Sequence, residues 1–200
     1  MTKKVLSVML VFLMCLNLFS GAVSAADEGV AYLTYEKSGF KTAYCKAYTQ
    51  LSLDTIYTDG TLSGSWYVLT GGTAHGRVTF SGDVSVILLN DADCYFPYGI
   101  GLHDGSTLRI YAQPAESGKS TGKLRTGNSG GESAGYDTTV GGAGIGGDYT
   151  IGSKKDVSCG NLYIYGGILD VKGRKNAAGI GGSGYSTGEN SNVCGNGGKV

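Results

Sequence analysis

Four side chains on two short segments are the ones whose types and spacing could contact a ligand. Arg109 and Tyr111 lie in Thr107-Leu108-Arg109-Ile110-Tyr111, and Tyr163 and Tyr165 lie in Asn161-Leu162-Tyr163-Ile164-Tyr165. In both segments they alternate with apolar residues, the pattern of a strand with one face in the core and one face out. If the two segments stack in a sheet, Arg109 and Tyr111 sit over Tyr163 and Tyr165. Flat aromatic faces spaced by one strand can stack on sugar rings, while an arginine donates hydrogen bonds to hydroxyls. Packing is the competing role, because tyrosine is favoured on any strand and can be covered by a neighbouring loop.

Acid–base and metal chemistry find less material. His75 and His103 are the only histidines; His103 adjoins the turn Asp104-Gly105, and both are expected to be solvated turn residues. No Ser-His-Asp or Cys-His arrangement is suggested, so no catalytic residue is assigned. A polysaccharide lyase would need clustered acids for calcium with a basic residue beside them. Asp91 and Asp93 are close, but the other strand faces carry at most one acid each. Neither a metal site nor any cofactor is expected. Residues 142–147 formally match G-x-G-x-x-G, but no helix follows and the phrase recurs, whereas a dinucleotide site should be single.

Beyond residue 25 the cysteines are Cys45, Cys94, Cys159 and Cys194. Cys159 and Cys194 are 35 apart (159 to 194), which places them equivalently in neighbouring repeats. Adjacent strands at about 4.8 Å fall inside the ~4.4–6.8 Å that a disulfide accepts. An inward ladder of free thiols acting as small hydrophobes is the other reading, and both stay open.

These residues need an architecture that repeats. Ala143-Gly144-Ile145-Gly146-Gly147 recurs as Ala178-Gly179-Ile180-Gly181-Gly182, with a half-copy at Gly99-Ile100-Gly101. Glycine, 36 of 200 residues, is far above the ~7% of average usage, yet runs such as Val84-Ser85-Val86-Ile87-Leu88-Leu89 are mostly aliphatic, which excludes collagen and flexible disorder. No segment has helical periodicity. Three short strands make one cycle, starting near Val78, Leu108 and Leu162, with another beginning at residues 198–200. Alternation points Val78/Phe80, Leu108/Ile110, Leu162/Ile164 and Leu169/Val171 inward, together with Ile100, Ile145 and Ile180 of the glycine phrases. The expected fold is all-β: a right-handed parallel β-helix (solenoid) with about three strands per rung. Residues 26–65 form an N-terminal capping segment and 66–200 the repeats, which continue past the end of the chain.

Residues 1–25, with Lys3-Lys4, the apolar 5–19 and Val23-Ser24-Ala25, have the three parts of a secretory signal peptide. The apolar run is too short to span a bilayer comfortably, so no membrane span is expected in the mature chain. Lysine plus arginine equals aspartate plus glutamate at 16 each, so no electrostatic case for nucleic acid exists.

The segments Trp66-Tyr67-Val68, Gly82-Asp83-Val84, residues 88–91 and 106–111, and the Ala-Gly-Ile-Gly-Gly phrases carry a resemblance. The chain resembles the glycine-rich parallel β-helix repeats of secreted and cell-surface proteins of Gram-positive bacteria, some of which are described as carbohydrate-binding domains. That resemblance implies a secreted, extracellular or envelope location and a non-catalytic module that binds polysaccharide, host or cell-wall glycan, or is adhesive. A structural spacer of a larger surface protein is the alternative, and a polysaccharide lyase the third reading.

Overall fold

The computed structural model describes residues 28–127, 142–148, 150–151, 157–173, 177–186, 192–194 and 197–200. Residues 1–25, expected to be a signal peptide, lie outside these. The chain opens with an antiparallel hairpin, β1 (Val30–Glu36) and β2 (Gly39–Cys45), and continues through β3 (Thr49–Leu51). It then visits three parallel sheets in a fixed order. One circuit is β4 (Gly60–Ser63), β5 (Trp66–Leu69) and β6 (Gly72–Thr73); the next is β7 (Val78–Ser81), β8 (Asp83–Leu88) and β9 (Asp93–Phe96). A third is β10 (Ile100–Leu102), β11 (Thr107–Ala112) and β12 (Lys123–Thr126). The fourth is β13 (Ile145–Gly146), then, past the short β14 (Thr150–Ile151), β15 (Asn161–Ile164) and β16 (Ile168–Asp170). β17 (Ile180–Gly181) returns to the first sheet, and β18 (Gly184–Ser186) and β19 (Asn192–Cys194) follow.

The first sheet is ordered β4-β7-β10-β13-β17, the second β3-β5-β8-β11-β15 and the third β6-β9-β12-β16, each in chain order. Every pairing within the three is parallel. A small fourth sheet joins β14 and β18 in parallel and β18 and β19 antiparallel. Among the described residues the only helical element is one 3-10 turn, Leu53–Thr55. The protein is therefore all-β, built almost wholly from parallel sheets.

Between the three sheets lies one apolar core. Leu69, Leu88, Leu108, Ile110 and Leu162 come from the second sheet, Val78, Phe80, Ile100, Leu102 and Ile145 from the first, and Cys94, Phe96 and Leu124 from the third. Each fully buried aliphatic or aromatic side chain contributes roughly 1.5–3 kcal/mol relative to exposure. No strand could bury its inner face alone, so the core exists only because successive strands stack.

One expected equivalence changes and one inward residue is left exposed, while Val78 and Phe80 are buried in the core as expected. Val78–Ser81 was expected to be equivalent to the strands at Leu108 and Leu162. It stands instead in the sheet of the glycine phrases, with Val78, Ile100, Ile145 and Ile180 in register. The reason is the corner at Gly82, whose φ of +73 turns the chain within one residue, so that β8 and not β7 lies beside β11. Ile164, expected inward, stands in register with the core residue Ile110 but is 42% exposed. Leu162 on the same strand is covered, its amide bonded to the Lys199 carbonyl. Segments β3 and β4, from the stretch expected to cap the array, pair in parallel within the second and first sheets.

Glycine has a steric cause in the thin first sheet. Gly146 has φ +139, and a Cβ there would lie 2.0 Å from the Gly181 carbonyl oxygen. Only a residue without Cβ permits that approach at that φ.

The outer face of the second sheet carries the hairpin. One hairpin face, with Val30, Tyr32 and Cys45, packs on Val68, Ile87 and Tyr111 in a second apolar cluster. This explains the apolar run Val86-Ile87-Leu88 in β8: Val84, Val86 and Leu88 face the main core while Ile87 faces the hairpin, so the strand is buried on both sides.

Candidate functional site

On the outer face of the second sheet the parallel register creates two ladders across the strands. Trp66, Ser85, Arg109 and Tyr163 form the first, one residue from each of β5, β8, β11 and β15. Val68, Ile87 and Tyr111 form the second, prolonged by Tyr165, whose ring stacks on Tyr111 at 4.7 Å and 6°. Parallel pairing without offset puts like positions above one another, so a two-residue alternation in each strand becomes two lines on the surface.

The four predicted contact residues divide between these lines. Tyr111 points off the outer face as expected, but it is only 6% exposed. Tyr32 meets it edge-on at 4.9 Å and Trp66 stacks on it at 5.2 Å. Burial, followed by the neighbouring Tyr165 hydroxyl, pushes the Tyr111 phenol up to about 12. Tyr111 is thus a packing residue beneath the hairpin, and Tyr165 is its half-buried neighbour. Tyr163, at 41% exposure, and Arg109 remain available. The Arg109 guanidinium lies over the Tyr163 ring, 5.5 Å from its centroid, and donates to the Asp83 carboxylate.

Between these groups is an open groove of ≈ 340 Å³, lined by Gly64, Ser65, Trp66, Asp83, Ser85, Arg109 and Tyr111. Its depth has a local cause. Ser85 is the small member of the first ladder, between Trp66 on one side and Arg109 on the other, and the chain drops to Gly64-Ser65 at its end. Donors and acceptors of both kinds therefore meet an aromatic wall. Trp66, Asp83 and Ser85 were not singled out from the sequence; the strand alternation in 83–88 was the signal for Ser85, but its alignment with Trp66 depends on the sheet register.

A second polar cluster lies along the glycine-rich sheet. Arg77, its side chain buried, directs Nε to the Asp148 carboxylate and Nη1 to the Tyr98 carbonyl at 2.5 Å. The second Asp148 oxygen meets His103 Nε2 at 2.9 Å. His103 is therefore not the solvated turn residue expected. Burial pushes the Asp148 carboxyl upward, but the His103 hydrogen bond and the Arg77 charge outweigh it, leaving the pKa below its ordinary value. His75 stacks on Tyr57, ring centroids 5.7 Å apart.

The acids considered for calcium are engaged otherwise. Asp91 accepts from the Ser120 amide at 2.7 Å, and Asp93 takes both Arg125 Nε and Nη2 at 2.8 Å. Arg125 in turn lies 4.6 Å from the Tyr95 ring centroid. Among the described residues no group of three or more His, Cys, Asp or Glu side chains could hold a metal ion. No described helix is long and apolar enough to cross a membrane.

Cys159 is a buried free thiol that forms an isolated antiparallel bridge with His103. Cys194 stands in β19, where its backbone pairs with Gly184; its side chain lies outside the described residues. Cys45 and Cys94 are also buried free thiols. Against known proteins the chain stands alone: no family model, no curated protein and no solved structure matches it.

Proposed function

We propose that the chain is an exported, non-catalytic module of the glycine-rich β-helix repeat type, and that it binds carbohydrate through the groove between Trp66 and Tyr163. In this reading the three parallel sheets are the walls of a right-handed parallel β-helix with about three strands per rung. The fixed sheet order over four circuits supports the architecture, and the three-part N-terminus supports export. The observation that carries the binding reading is the Asp83–Arg109 pair in an open groove lined by Trp66 and Tyr111, with the Arg109 guanidinium lying over the exposed Tyr163 ring. A sugar has apolar ring faces bordered by hydroxyls. Aromatic rings cover the faces while a carboxylate accepts from hydroxyls and a guanidinium donates to them.

Glycan-array binding by the mature chain is the test, followed by titration of the hits against Trp66 fluorescence. Trp66 is the one tryptophan of the chain, so its emission reports on the groove directly. Binding that weakens in Tyr163→Ala with the fold intact supports the assignment; absence of binding to every glycan rejects it.

One observation favours the adhesive or spacer reading. The hairpin's outer face exposes Tyr35, Phe40 and Tyr44, an apolar surface away from the groove. That reading expects no glycan binding at all.

A further inference from the structure

The first ladder has a direction, and a ligand in the groove inherits it. Trp66, Ser85, Arg109 and Tyr163 come from four successive strands of one parallel sheet, so the line joining them runs across the strands. With strands spaced about 4.8 Å, the three steps from Trp66 to Tyr163 cover ~14 Å. One step is close to the length of one pyranose residue in an extended chain. The second ladder, buried under Tyr32 and the rest of the hairpin, forms a wall along one side of the line. A ligand lying along the strands would meet that wall, whereas one lying across them would not.

Charge narrows the class. The groove has one acidic and one basic side chain, Asp83 and Arg109, and they are paired with each other. A uronate would bring a carboxylate beside the exposed Asp83 and would compete with it for Arg109. A neutral sugar can use both partners without separating them, its hydroxyls donating to Asp83 and accepting from Arg109.

We infer that the groove takes a linear, neutral oligosaccharide laid across the strands along Trp66–Ser85–Arg109–Tyr163, one sugar per strand, with full affinity reached at about four residues. This rests on the carbohydrate reading of the same groove. Trp66, its ring held against Tyr111 at 5.2 Å and Tyr32 at 5.0 Å, borders one end, Tyr163 stacks on the terminal sugar at the other, and Asp83 and Arg109 hold the interior hydroxyls.

The test is titration of the mature chain with neutral cello-, xylo- and manno-oligosaccharides of one to six residues and with oligogalacturonates of the same lengths, read by Trp66 fluorescence and calorimetry. For the neutral series that binds, affinity is expected to rise in steps of up to about tenfold per residue and to level off near four. Oligogalacturonates bind at least about tenfold more weakly, and Asp83→Asn narrows that gap. Tyr163→Ala moves the plateau one residue shorter and weakens binding of four-residue and longer chains by up to about tenfold, since the exposed ring at the far end is the contact removed. Equal affinity for one and six residues, or oligogalacturonate binding as tight as neutral, overturns this placement while leaving a carbohydrate site standing. Silence from every oligosaccharide, neutral and acidic, overturns the carbohydrate reading itself.

Discussion

Tyr111 and Tyr163 have the same residue type, lie on adjacent strands and share one outer face, yet they have opposite roles. Tyr111 is enclosed by Tyr32, Trp66 and Tyr165, so Tyr111→Ala is expected to cost about 3 kcal/mol, the usual loss for a buried aromatic, measured by urea denaturation. Tyr163 is 41% exposed, so Tyr163→Ala should leave the unfolding midpoint unchanged while weakening glycan binding. Reversal of that pattern would return Tyr111 to the binding surface. The buried Arg77–Asp148–His103 cluster makes a pH prediction. Asp148 has a folded pKa below its unfolded value, so its contribution is fully present above about pH 4 and is lost as pH falls through the depressed folded value. Asp148→Asn should therefore lower stability by about 3 kcal/mol at neutral pH, leaving Arg77 buried without its carboxylate, and should flatten the acid limb of the stability curve. An acid limb identical to that of the native sequence would remove Asp148 from the cause of acid unfolding.

The hairpin and the glycine-rich sheet each depend on one kind of contact. An isolated two-stranded hairpin is marginal in water, so β1 and β2 owe their order to Tyr32 and Cys45 packing on the second sheet. Tyr32→Ala should release the hairpin first, seen as faster amide exchange in 30–45 with core strands still protected. Uniform protection across the hairpin and core would show that the docking does not depend on Tyr32. In the first sheet the limit is steric. Gly146→Ala places a methyl 2.0 Å from the Gly181 carbonyl oxygen at a φ of +139, and a loss of about 3 kcal/mol or more is expected in thermal unfolding. Alanine at Gly105, where φ is +81 but no atom lies within 4 Å, should cost only the backbone term of about 1 kcal/mol.

Taken together, the sheets share one core, and its thiols report on the whole. Cys94 is fully enclosed, and burial pushes its thiol up to about 12, so little thiolate is present at neutral pH. Cys45, Cys94 and Cys159 should resist a thiol reagent in the native protein and react once the chain unfolds. Labelling of Cys94 that keeps pace with global unfolding is expected; labelling far ahead of it would mean that the core opens locally.

What sequence alone determined was the strands around Trp66, Val78, Val84, Leu108, Leu124 and Leu162, the alternation within them and the periodic return of the glycine phrase; β9 (Asp93–Phe96) was not read from it. These are local properties, decided by side-chain period and by backbone freedom at glycine, and they led to an all-β reading. Ile100, Ile145 and Ile180 were correctly placed on one wall because the same five-residue phrase surrounds them. Tertiary structure decided what depends on register and on segments far apart. Val78 joined the glycine wall because one corner glycine sets which strand lies beside which. Tyr111 was covered by a hairpin whose Tyr32 lies far earlier in the chain, and His103 met Asp148, 45 positions away, which also pairs with Arg77, 71 positions before it. Alternation says that a side chain leaves the sheet, but only the packing of distant segments says whether water or another residue meets it there.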